Sequence, residues 1–160
     1  MSRMTTALRG FVVTTSIGLG LLAASGPATA AAIVTQPFAA DSGDACGTTS
    51  GTFGWHLGGS VGSTSVVDVS GTLVDRPLLA DPANICRDDR YAIVTFTAYS
   101  EKTVVDTDAR KADNERAAFG FQLTADLRTP IDRVVVQVCR RSLSGTVADY
   151  CGKAAEYTIP

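Results

Sequence analysis

YAIVTFTAY, at residues 91–99, decides the fold class. Ala92, Val94, Phe96 and Ala98 fall on one side of an extended chain. Tyr91, Ile93, Thr95, Thr97 and Tyr99 fall on the other. The period is two, the composition is β-branched and aromatic, and neither side is plainly polar. With both faces apolar, one of them meets another layer or forms an exposed patch.

The same alternation recurs on either side of this segment. In 51–57, Phe53, Trp55 and Leu57 share a face, and in 65–74 Val67, Val69 and Leu73 do. In 117–125 it is Phe119, Phe121 and Leu123; in 131–139, Val134, Val136 and Val138; in 153–159, Ala155, Tyr157 and Ile159. A short charged segment at 102–108 suits an edge strand, and 109–116 is polar enough for a loop. Seven short strands predict an all-β fold, a seven-stranded antiparallel β-sandwich of immunoglobulin-like type over residues 46–160. The predicted core is Phe53, Trp55, Leu57, Val67, Val69, Leu73, Val94, Phe96, Phe119, Phe121, Leu123, Val134, Val136, Val138, Tyr157 and Ile159. The order VSGTLVD (69–75), YAIVTFTAY, FGFQL (119–123) and DRVVVQV (132–138) resembles transthyretin-like and related sandwich modules. Eleven Arg against three Lys, with abundant Ala, Gly, Val and Thr, resembles small secreted β-sandwich proteins of high-GC actinomycetes. That resemblance implies a location outside the cell more than an activity.

The N-terminus supports export. Arg3 and Arg9 precede an apolar run from Phe11 to Ala24, and Ala28-Thr29-Ala30 fits a cleavage site for residues 1–30. The run is shorter than the roughly 20 apolar residues of a membrane span. Residues 31–45 read as a flexible lead. Beyond residue 30 there are twelve basic and sixteen acidic residues, a net charge of −4. Nucleic acid and anionic membrane surfaces are therefore poor partners.

All four cysteines, Cys46, Cys86, Cys139 and Cys151, follow the leader. An even count in an exported chain predicts two disulfides. With no C-x-x-C and His56 the only histidine, zinc is disfavoured. If the strands alternate in direction, all four thiols gather at one pole. The short hairpin then pairs Cys139 with Cys151, which leaves Cys46 with Cys86.

No catalytic residue, metal ligand or cofactor is assigned. Any acid–base site has to use His56, which Phe53, Trp55 and Leu57 turn outward. Asp88 and Asp89 are adjacent and point apart. Asp41, Asp44, Asp81, Asp88 and Asp89 lack calcium-loop spacing. The chain therefore reads as a secreted, non-enzymatic binding or structural module for an extracellular protein or envelope component. Its expected binding residues are Arg87, Arg90, Arg140, Arg141 and Tyr150, in loops 75–90 and 140–152 of the stapled pole. Two alternatives stand beside this: a serine protease inhibitor presenting the disulfide-closed loop 140–150, and an extracellular hydrolase.

Overall fold

The structure is a computed structural model that describes residues 32–57, 64–78, 81–82, 86, 89–144 and 148–160, the last segment without the side chains of 148–150. Its strands are β1 (Ala32–Asp41), β2 (Gly47–Leu57), β3 (Thr64–Asp75), β4 (Arg90–Ser100), β5 (Thr103–Ala112), β6 (Arg116–Asp126), β7 (Arg133–Ser142), β8 (Ala148–Cys151) and β9 (Ala155–Thr158). Two antiparallel sheets face each other as a sandwich. Sheet A has the order β1-β2-β3-β6; sheet B has the order β5-β4-β7-β8, with β9 also on β7.

All seven expected strands are present, and two more accompany them. Residues 32–41 are not a flexible lead: they form β1, paired with β2 over its whole length. Pro37 and the run of alanines hide this strand in the sequence, but an edge strand tolerates proline where its N–H would face away from the neighbour. The second addition is β8, because the chain after Cys139 continues as a hairpin. β8 and β9 lie end to end on β7, pairing with Cys139–Arg141 and Arg133–Val136 respectively. The segment 109–116 is also mostly strand, since β5 runs on to Ala112.

Alternation fills the space between the sheets. Phe53, Trp55, Val67, Val69, Leu73, Val94, Phe96, Leu123, Val134, Val136 and Val138 are fully buried or nearly so. On β4 it is Ala92, Val94, Phe96 and Ala98 that turn inward. β1 adds Phe38, whose ring lies 4.6 Å from Phe53 and 5.5 Å edge-on to Phe96. Its neighbour Gln36 accepts the Trp55 indole N–H at 3.0 Å. Gly51 and Gly71 sit opposite each other in β2 and β3. A Cβ on Gly51 would come within 2.7 Å of the Phe38 ring, and one on Gly71 within 3.0 Å of the Phe119 ring. The two glycines are therefore the recess into which both rings pack. Leu57, Phe119, Phe121 and Tyr157 are only partly buried, and Ile159 lies outside the core at 39% exposure, because β9 stops at Thr158.

Phe96→Ala is expected to cost about 3–5 kcal/mol of unfolding free energy, since the ring is wholly enclosed and leaves a cavity. Phe121→Ala, at a half-buried position under Arg110, is expected to cost distinctly less. Denaturant unfolding with the disulfides intact measures both.

Candidate functional site

The strand directions bring one end of β1, β2, β3, β4, β5, β6 and β7 to a common pole, and both disulfides lie there. Cys46 is bonded to Cys86, joining the chain before β2 to the chain before β4. Cys139 is bonded to Cys151, its direct cross-strand partner on β8. This is the expected pairing.

Beneath the staples is a buried polar network. The inward positions of β7 are Val134, Val136 and Val138, and the next is Arg140, with no exposed surface. Its Nε lies 3.4 Å from Oδ1 of Asp75, which is equally buried at the end of β3. Its Nη1 lies 3.8 Å from Oδ2 of Asp44. Asp75 Oδ2 accepts the Asn114 amide at 2.8 Å, and the Asp75 amide donates to the Glu115 carbonyl at 2.9 Å. One carboxylate thus ties the turn between β5 and β6 to β3 and to sheet B. Asp44 also accepts the Ser42 hydroxyl, and Ser42 Oγ accepts the Gly47 amide at 2.9 Å. Gly47 makes the room: a Cβ there would stand 3.2 Å from Arg140 Cδ and 3.0 Å from Ala92 Cβ.

Arg140 therefore cannot anchor an interface, and its expected role is corrected. It faces inward by the same alternation that buries Val138. A protease pocket has no access to it either. Arg141 lies on the outer face of β7, opposite Tyr91, rather than at a loop apex. Arg90 is half-buried at the start of β4. Tyr150 pairs opposite Arg140 through its backbone; its side chain and Arg87 lie outside the described residues.

Two cations stand over aromatic rings on the outer face of sheet B, exposed Lys111 and half-buried Arg133. The Lys111 ammonium sits 4.0 Å above the Tyr91 ring, and the Arg133 guanidinium 4.5 Å above the Tyr99 ring. Between the tyrosines run Ile93, Thr95 and Thr97, all half-buried, beside Val135, Gln137 and Arg141 of β7. The apolar second side of β4 is thus covered by cationic side chains rather than by another layer. Sequence reasoning missed Lys111 and Arg133 because their strands, not their neighbours in the chain, bring them to the tyrosines.

His56 does face outward, but with a partner. Its Nε2 is 2.6 Å from Asp68 Oδ2, and Gln122 donates to Asp68 Oδ1 at 2.9 Å. The hydroxyls of Thr52 and Ser70 on the same face bond to each other at 3.1 Å. The His56 hydrogen bond holds the Asp68 carboxyl below its ordinary pKa; partial burial opposes this, and Gln122 reinforces it.

Comparison with protein-family models, with curated proteins and with solved structures returned no match to this chain. Among the described residues no helix is long and apolar enough to cross a membrane.

Two predictions follow from these geometries. Arg140→Ala strands the Asp75 carboxylate in the interior and should cost about 3–5 kcal/mol. The double substitution Arg140→Leu with Asp75→Leu removes both charges and should recover much of that loss in a double-mutant cycle. For the surface pair, the sign follows from the lowered Asp68 pKa. Its stabilisation is present above the unfolded value, about 4, and is lost as pH falls through the folded value. The advantage of the native chain over Asp68→Asn in denaturant midpoint should therefore vanish in acid. At neutral pH it should stay below about 1 kcal/mol, because both side chains are near the surface.

Proposed function

We propose that this chain is an exported, non-enzymatic recognition module, immunoglobulin-like in connectivity, whose outer sheet B face binds an anionic partner outside the cytoplasm. The connectivity supports the fold reading: β3 pairs with β6 and β4 with β7, and the chain changes sheet between β3 and β4, between β5 and β6, and between β6 and β7. Two disulfides accord with an oxidising compartment.

The observation that carries the binding reading is the charge on one face. Among its described side chains are Lys111, Arg133 and Arg141 against two acids, Asp113 at 3.6 Å from Lys111 and Glu156 at 3.6 Å from Arg133, a cationic excess in a chain of net charge −2. Lys111 and Arg133 are held against Tyr91 and Tyr99 and flanked by Asp113 and Glu156, so an anion meets them already ordered, and less side-chain entropy is lost on binding. The disulfide Cys139–Cys151 is built into the same face and fixes β8 against β7.

Titration with dextran sulfate, followed by calorimetry at two salt concentrations, tests this. Binding that weakens with salt is expected, with neutral dextran inert. Lys111→Ala, Arg133→Ala and Arg141→Ala combined should reduce affinity by at least about tenfold, a loss of about 1.4 kcal/mol. No binding at low salt, or binding untouched by the triple substitution in a folded protein, rejects the reading.

A further inference from the structure

A sandwich leaves sheet edges, and each exposed edge is a row of unpaired backbone groups that can template another strand. The edges of this fold are treated differently. On β1, both the amide and the carbonyl of Ala39 bond to the Tyr157 hydroxyl, at 2.9 and 2.8 Å. Those groups therefore face away from β2. Pro37, two residues earlier, faces the same way and has no amide hydrogen to offer. The β5 edge is charged, with Asp106, Asp108, Arg110 and Lys111, and its register with β4 slips at Ala98/Tyr99. β8 and β9 are four residues each.

β6 is the exception. It is 11 residues long, contains no proline and pairs with β3 without a slip. The Thr124 amide donates to Asp106 Oδ2 at 2.8 Å, so the even-numbered residues of β6 direct their backbone groups away from β3. Asp106 takes the Thr124 amide at one end of that edge, and Arg110 of β5 covers the inner face of the strand at Phe121, 4.4 Å from the centre of its ring. Ala118, Gly120 and Gln122 are exposed, and a Cβ on Gly120 would meet nothing within 4 Å.

We infer that a second copy of this chain adds to the 118–122 edge of β6, antiparallel about a two-fold axis at Gly120, so that the two A sheets become one. The occupant is fixed by charge and symmetry. Centring on Gly120 sets Ala118 against Gln122 and Arg116 against Thr124 of the other copy. Arg116 then arrives beside Asp106, which already sits on the Thr124 amide, and diagonally beside Asp126. The same contact is made twice, as an isologous interface requires. The glycines at the axis present no side chain on the outer face to keep the two backbones apart. This surface is separate from the outer face of sheet B, and the inference does not rest on what that face binds.

Sedimentation equilibrium over a concentration series, with the disulfides intact, tests it. The mass should move from one chain to two as concentration rises. Gly120→Lys sets two ammonium groups against each other at the axis, and Gly120→Pro removes an amide that β3 does not use. Both should remain single chains with unchanged circular dichroism. Arg116→Glu should weaken association by at least about tenfold through like-charge contact with Asp106 and Asp126. If Gly120→Pro fails to fold, Gly120→Lys alone decides. A native chain that stays single up to about 1 mM overturns the inference, and so does a dimer that survives Gly120→Lys. A single chain that instead binds a synthetic strand peptide at this edge also overturns it, since the occupant would then be foreign.

Discussion

A guanidinium without exposed surface, Arg140, holds the end of β3 to sheet B through Asp75, and the stapled pole is organised around that contact. Removing two charges from water is costly. Further hydrogen bonds around the pair offset part of that cost. The Asn114 amide donates to Asp75 Oδ2, the Asp75 backbone amide donates to the Glu115 carbonyl in the same turn between β5 and β6, and Asp44 brings in the chain leading to Cys46. An apolar pair could fill the same volume. What it could not do is reach two separate turns with directional bonds, and this is where the network contributes geometry rather than net stability. The Cys46–Cys86 bond then closes over a pole whose turns already converge.

Much of this was legible in the alternation of single strands. Val67, Val69 and Leu73 on β3, and Val134, Val136 and Val138 on β7, each mark the inner face correctly. Carried two residues further, the same rule places Asp75 and Arg140 inside, opposite Gly47. The charge of the side chains argued for a loop at a point where the period had not ended. β1 was illegible for a different reason. Its inner residues, Val34, Gln36, Phe38 and Ala40, alternate weakly, and Pro37 reads as a breaker until the strand is known to lie at an edge. The pairing of Lys111 with Tyr91 and of Arg133 with Tyr99 depends on lateral register between strands, which no one-dimensional pattern contains.

The two outer faces differ in kind. Sheet A presents short side chains, among them Thr35, Thr52, Gly54, Ser70 and Gly120, around the hydrogen-bonded group of His56, Asp68 and Gln122. Sheet B presents long ones, with aromatic rings under cations and a disulfide between strands. Short polar side chains leave backbone edges approachable; long ordered ones make a surface in their own right. One scaffold thereby offers a flat sheet for extension and a textured sheet for contact.

The bond from Tyr157 to Ala39 spans 118 residues of sequence, nearly the whole described domain. A chain that emerges N-terminus first, from a ribosome or through a translocation pore, presents β1 well before the tyrosine. Until then the N-terminal strand has an unsealed margin, and the Phe53 ring lacks the neighbour that stands 5.4 Å away in the finished molecule. Such long-range closure is slow compared with hairpin formation. Completion of the sandwich is thereby deferred until β9 has arrived, and the chain stays threadable until then.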